Sequence, residues 1–219
     1  MKTTIIENFL TADEIFDIEK LFRSKVDTTV WIEPTEVDLA HSHYWYPGNS
    51  YKEKLNLFLN NKINSMFEKN ICDNWHILNA YRPYGIHTDS TDDEHDSYAH
   101  MLSEGHDFGW TFLIPLDDYP TNTIVFNEGS SVMKVSTKWI EKENRQPLGL
   151  ITDELYTKYL THQGKEITDY FSIETIFPWK KGNLLAMPRK SFHCSDNFLN
   201  KKIFEKRAII GWSMVPIEK

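Results

Sequence analysis

Hydrophobic periodicity changes character once along this chain, near Asn70, and that change restricts the fold more than any other feature. Before it, Ile5, Ile6 and Phe9 mark a short strand within Met1 to Phe9. Thr11 then carries the signature of a helix N-cap. Glu14 three residues on completes a capping box, and Leu10 and Ile15 stand where a hydrophobic staple needs them. Ile15, Ile18, Leu21 and Phe22 follow at helical spacing and give the helix one buried stripe. Ser50 and Glu53 repeat the capping pattern ahead of a second apolar face made of Leu55, Phe58, Leu59, Ile63, Met66 and Phe67.

Beyond Asn70 the runs shorten and turn strand-like: Trp75 to Tyr81, Thr111 to Leu116, Thr123 to Phe126, Gly182 to Met187 and Arg207 to Val215. A short helix is expected near Asp153 to Thr161, with Gly164 placed to end it. Two helices followed by many strands predict an α+β domain whose sheets close as a sandwich or barrel. At 219 residues the chain is expected to form one domain, with a helical part over about residues 1–70 and a sheet-forming part over about 71–219. Seven Trp, ten Tyr and thirteen Phe can fill a β-rich interior.

Charge narrows the partners. A formal net charge of −8 argues against a general nucleic-acid binder, because the phosphate backbone rewards a positive surface. The distribution is uneven, with seven acidic residues and no Lys or Arg from Asp89 to Asp107, and eight basic against two acidic residues from Lys180 to Arg207. The basic stretch would suit a small anionic substrate. Cys72 and Cys194 provide neither a disulfide framework nor a zinc spacing. Glu7 interrupts the first apolar run before a signal-peptide core can form, and no stretch approaches the roughly 20 apolar residues of a membrane helix. A cytoplasmic address is the expectation.

The residues that carry chemistry begin with His87 and Asp89, which follow a strand. In extended backbone, residues i and i+2 point to the same side, so one imidazole and one carboxylate can aim at a single point. His193 also follows a strand and could return to that point as a third donor. Two His and one carboxylate on one face leave coordination positions open, the arrangement of non-haem iron(II) oxygenases. A His-x-Asp pair is common by chance, and a histidine after a strand can equally be a cap or core residue, so order and context carry the reading. Arg207 opens the last strand and offers a planar fork for a buried carboxylate, or else belongs to a charged surface run from Lys201. His95, His100 and His106 read as part of a polar lid over the 89–107 span rather than a second site. His41 and His43, beside Tyr44, Trp45, Tyr46, Pro47 and Gly48, read as an aromatic loop near a pocket mouth. Cys194 reads as a small packed side chain, since nothing beside it suggests thiolate activation.

Taken in order, Ile5 to Glu14, Asn79 to Asp89, Phe112 to Asp118, Trp179 to Pro188, His193 and Arg207 to Trp212 resemble the 2-oxoglutarate/Fe(II)-dependent dioxygenase superfamily, in the style of its prolyl-4-hydroxylase-like members. The resemblance implies a double-stranded β-helix, a jelly-roll or cupin-like barrel, with the N-terminal helices packed on one sheet. It implies His87, Asp89 and His193 as Fe(II) ligands and Arg207 as the partner of the distal carboxylate of 2-oxoglutarate. Tyr81 is implied as a second contact to that cosubstrate, with a core tyrosine as the competing account, and Asn79 shares its face by strand parity. The step from His193 to Arg207 is longer than in many relatives, which leaves Lys206 and Lys202 as substitutes for Arg207. The long gap between Asp89 and His193 contains residues 153–164 as an apparent insertion that a loop can absorb.

The implied reaction consumes 2-oxoglutarate and O2, with ascorbate as a supporting reductant, and couples release of succinate and carbon dioxide to oxidation of a peptide or small-molecule substrate. Asp89 is a full carboxylate where halogenating relatives carry a small residue, so hydroxylation is the expected outcome. Two other readings stay open: a cupin-type metalloenzyme that does not use 2-oxoglutarate, and a binding module that keeps the fold without turnover. Substrate and oligomeric state are not legible in the sequence.

Overall fold

In a computed structural model of the chain, residues 1–23, 42–45, 49–67, 72, 75–90, 99–132, 134–203 and 205–217 are described. The expectations for His41, for Tyr46 to Gly48 and for His95 lie outside the described residues, as does most of the acidic part of the 89–107 span. His43 falls within a described strand.

The N-terminal segment folds as its local chemistry dictates. Strand β1 (Thr4–Ile6) leads into helix α1 (Ala12–Arg23). The Thr11 hydroxyl accepts from the Glu14 amide at 3.2 Å, and the Glu14 carboxylate accepts from the Thr11 amide at 2.9 Å, so the capping box closes in both directions. Leu10, Ile15 and Ile18 are buried in one cluster. Strand β2 (Ser42–Trp45) precedes helix α2 (Asn49–Asn64). That helix already includes Ser50, so it starts slightly earlier than the capping pattern suggested. Leu55, Leu59 and Ile63 form its buried stripe, whereas Met66, expected on the same face, is 52% exposed just past the helix end.

The strands that follow are β3 (Trp75–Ala80), β4 (His106–Pro115), β5 (Asn122–Gly129), β6 (Ile173–Pro178), β7 (Leu184–Pro188), β8 (Ser191–Ser195) and β9 (Lys206–Pro216). They make two antiparallel sheets. One has six strands in the order β1-β7-β4-β9-β3-β2, and the other has three in the order β6-β5-β8. Alternation along the central strands assigns the faces. Phe112 and Ile114 of β4, Leu184 and Ala186 of β7 and Ile209 of β9 pack with α1 and α2 residues. Their neighbours Leu113, Leu185, Met187, Ala208 and Ile210 face the other way and pack against Val125 and Phe177 of the smaller sheet. The molecule is therefore layered as helices, large sheet, small sheet.

Two junctions fix the outer layer. Trp75 stacks on Phe112 with ring centroids 5.7 Å apart, and its indole N–H donates to Asn60 of α2 at 2.9 Å. Gly182, at φ +76°, turns the chain into β7 where an added Cβ would stand 2.2 Å from the Leu10 carbonyl oxygen. The Leu10 amide donates to the Gly182 carbonyl across the same junction, at 2.9 Å.

Strands β6 and β8 were not marked by the hydrophobic pattern, and β8 holds His193 within it rather than after it. The region near Asp153 also differs from expectation. A single α-helical turn, Asp153–Leu155, is capped by the Thr152 hydroxyl and opens into a wider π-helical stretch, Tyr156–Leu160. Gly164 does not end that helix but precedes a further short one, Lys165–Thr168. Among the described residues, no helix is long and apolar enough to cross a membrane.

Candidate metal centre

His87 and His193 face each other across an isolated antiparallel bridge: the His87 amide donates to the His193 carbonyl at 3.0 Å, and the reverse bond measures 2.9 Å. Two residues on, the Asp89 amide donates to the Arg189 carbonyl at 3.1 Å. Residues 87–89 thus run extended beside β8, and the i, i+2 pair points to one side. The His193 Nε2 atom lies 3.4 Å from Asp89 Oδ2, and the His87 Nε2 atom lies 4.0 Å from Asp89 Oδ1. One ligand atom from each of the three residues lies within 4.8 Å of the other two. The imidazole centroids are 4.2 Å apart.

The surroundings set the donor atoms. His87 Nδ1 donates to the Gly85 carbonyl at 2.7 Å, and His193 Nδ1 to the Ser191 carbonyl at 3.2 Å. Each bond places the proton on Nδ1 and leaves the Nε2 lone pair aimed at the shared point, as metal-ligating histidines require. Asp89 Oδ2 also accepts from the Thr111 hydroxyl at 2.7 Å. Burial alone would raise the Asp89 carboxyl, but His193, His87, the Thr111 hydroxyl and Arg189 outweigh it and hold the group below the usual carboxylate range. Burial, reinforced by His87, brings His193 down to about 4 against the opposing pull of Asp89. The site therefore offers two imidazole Nε2 atoms and one carboxylate, a donor set that fits a divalent metal with open positions.

These three side chains stand at a cavity between the sheets, lined also by Leu78, Ala80, Tyr84, Thr111, Leu113, Thr123, Trp179, Met187, Ile210, Trp212 and Lys206. Lys206 is buried, and its ammonium lies 3.9 Å from the Trp179 ring centroid and 4.7 Å from that of Phe198. It has no hydrogen-bond acceptor among the described residues. Burial brings the amine down to about 7, and Lys201 adds to the effect, while Asp196 and Cys194 oppose it. An unpaired buried cation of this kind is costly unless an anion meets it.

Strand register places three of the expected residues away from this cavity. Asn79 pairs with Arg207 and Ala80 pairs with Lys206 across β3 and β9. Paired residues share a face, so Ala80 and Lys206 line the cavity while Asn79 and Arg207 face the helical layer. Arg207 binds Asp117 at 3.0 Å and Glu19 of α1 at 2.9 Å, outside the cavity. Tyr81 continues the Asn79 side and does not line the cavity either. Burial and the Glu205 charge push its phenol up, against a hydrogen bond from Asn79. The parity that aligned His87 with Asp89 could have found Lys206, because Ala208, Ile210 and Trp212 mark the inward positions of β9. Thr111 and Trp179 were missed as site residues because each reads as core in isolation.

His100 and His106 lie outside the three-residue group, which is the metal-competent cluster found among the described residues. Cys194 is fully buried at the cavity wall, and burial raises its thiol well above the usual range, which disfavours the reactive thiolate.

No family model matches the sequence, and no curated protein shows significant sequence similarity to it. Solved structures do match. An oxidoreductase of the 2OG-Fe(II) oxygenase family from Burkholderia pseudomallei is 10% identical with a TM-score of 0.54, over 96% of this chain and 83% of that one. The epimerase SnoN, solved in complex with Fe3+, alpha ketoglutarate and nogalamycin RO, is 11% identical with a TM-score of 0.60, over 98% and 78%. HygX from Streptomyces hygroscopicus, solved with nickel, 2-oxoglutarate and hygromycin B, is 11% identical with a TM-score of 0.52, over 98% and 82%. At such identities the likeness is one of fold: the chain adopts the fold of the 2OG-Fe(II) oxygenases.

Proposed function

We propose that this chain is a single-domain Fe(II)- and 2-oxoglutarate-dependent oxygenase whose two sheets form the double-stranded β-helix of that fold. The observation that carries the reading is the joint presence, in one cavity, of the His87, Asp89 and His193 donors and the unpaired Lys206 ammonium. In this reading His87, Asp89 and His193 hold Fe(II), and Lys206 rather than Arg207 receives the distal carboxylate of 2-oxoglutarate. When bound, the iron and its cosubstrate supply the oxidising power, with succinate and carbon dioxide as by-products.

The chain's own residues do the rest. Gly85 and Ser191 hold the imidazole protons away from the metal side, and Thr111 orients the Asp89 carboxylate. Trp179, fixed by its indole N–H on the Thr123 hydroxyl at 2.9 Å, walls the Lys206 end from water and strengthens the ion pair expected there. A small-molecule substrate is favoured over a peptide because SnoN and HygX were solved with small molecules bound. Hydroxylation remains the favoured outcome, since Asp89 keeps its carboxylate.

The test is succinate release. Purified protein with Fe(II), 2-oxoglutarate and ascorbate is expected to produce succinate slowly without substrate and faster with a substrate found by screening small metabolites. Complete silence across iron and cosubstrate concentrations would favour a binding module.

A further inference from the structure

The insertion between Asp89 and His193 does more than span a gap. Residues His162 and Gln163 reach the loop that immediately precedes His87. The His162 Nε2 atom donates to the Tyr84 carbonyl at 3.1 Å, and the Ile86 amide donates to Gln163 Oε1 at 3.3 Å. Between these bonds, the Gln163 amide faces Gly85 at a distance where an added Cβ would meet Gln163 Oε1 in ordinary contact, at 3.5 Å. The Gly85 carbonyl is the group that holds the His87 Nδ1 proton.

The same insertion is fastened to the other ligand strand. The Asn197 amide, two residues past the end of β8, donates to the Tyr159 carbonyl at 3.0 Å, and its side chain donates to the Thr161 hydroxyl at 2.8 Å. In the core beneath, Leu160 packs in one cluster with Ile86, which precedes His87, and with Phe192 and Cys194, which flank His193. The Tyr156 hydroxyl donates to the Gln163 carbonyl at 2.8 Å and so braces the residue that makes the Ile86 contact. The π-helical stretch Tyr156–Leu160 adds a residue to its turn, a distortion that recurs beside functional sites.

We propose that residues 152–164 form a clamp that positions the two metal-binding histidines relative to each other, with Gln163 as the positioning residue that acts on His87 through Gly85. This rests on the metal-site reading given above and deepens it. Groups that orient a ligand from behind commonly change metal affinity by about 10- to 100-fold when removed. Gln163 touches neither the cavity nor the donor atoms, so a change in metal binding on its replacement has to pass through the loop.

The experiment compares Co(II) binding, as a spectroscopic probe, to the intact chain, to Gln163→Leu and to Gln163→Glu, with thermal melts of the metal-free proteins. Gln163→Leu is expected to weaken Co(II) binding by about tenfold and to alter its visible spectrum. Gln163→Glu keeps the acceptor oxygen for the Ile86 amide and is expected to restore both. If Gln163→Leu binds Co(II) with unchanged affinity and spectrum while the intact chain binds one ion, the clamp is overturned and the metal site stands. If the intact chain binds no Co(II), clamp and metal-site reading fall together. A loss in Gln163→Leu that follows the melting temperature alone, with no rescue by Gln163→Glu, also overturns the clamp.

Discussion

Lys206 and Arg207 are consecutive in sequence and serve opposite faces of β9: the first enters the cavity between the sheets, and the second pairs with Glu19 and Asp117 on the helical side. Their replacement should therefore separate cosubstrate binding from packing. Lys206→Met is expected to raise the dissociation constant for 2-oxoglutarate by about 10- to 100-fold, the loss of a charge-assisted bond of about 1.5–3 kcal/mol. Arg207→Ala should leave that constant within about twofold and cost about 0.2–1 kcal/mol of stability, the range for partly exposed ion pairs. Anaerobic calorimetry with Fe(II) present measures the first, and chemical denaturation the second. The opposite pattern would restore Arg207 as the anchor.

Without cosubstrate, Lys206 is a buried amine brought down to about 7 by desolvation. A dianion binds its protonated form, so affinity for 2-oxoglutarate should fall as pH rises above about 7, by up to tenfold per unit. The slope ends where the amine of the complex itself deprotonates. Calorimetry in buffers of different ionisation enthalpy should show proton uptake on binding above neutrality. The same linkage gives a sign for stability. The folded value lies below the usual lysine range, so the amine's contribution is fully present only at alkaline pH and is lost as pH falls toward 7. Lys206→Met should accordingly raise the melting temperature of the metal-free protein at neutral pH.

His162 gives an acid-side signature. Burial brings it down from the ordinary imidazole value of 6.5 to about 4, against the Tyr84 carbonyl bond and Asp196. A histidine depressed on folding contributes stability above its unfolded value and loses it as pH falls through the folded one. The metal-free protein should therefore lose stability between pH about 6.5 and about 4, and His162→Gln should flatten that part of the profile. Denaturant melts across this range test it, and parallel profiles for the two proteins would contradict it.

Thr111→Val should weaken divalent metal binding by about tenfold while changing the fold little, because the side chains are nearly isosteric and the hydroxyl donates to Asp89. Metal titration followed by tryptophan fluorescence measures the effect. Unchanged affinity would mean that Asp89 is oriented by its backbone pairing with Arg189 instead.

How much of this was legible beforehand follows from the range of each interaction. The capping box at Thr11 and Glu14 and the stripe of Leu55, Leu59 and Ile63 are local, and the sequence predicted them. The pairing of His87 with Asp89 is a two-residue property of extended chain and was equally readable. Convergence of His193 on that pair depends on a bridge across the chain, so the sequence offered His193 as a candidate donor and the resemblance implied it as a ligand. The face of Arg207 depends on register, where a slip of one residue exchanges the two sides of a strand. The positions of Asn79 and Tyr81 outside the cavity follow from the same register. Strands β6 and β8 lack a clear period of two, since Ser191 to Ser195 is buried on both sides for most of its length.

The central claim is tested most directly by anaerobic titration of Fe(II) into the protein with 2-oxoglutarate present, in the intact chain and in His193→Ala. One iron per chain is expected, with a visible charge-transfer absorption that needs both iron and keto acid and that disappears in the variant. Iron bound equally well by His193→Ala, or bound by the intact chain with no change in absorption on adding 2-oxoglutarate, would contradict it.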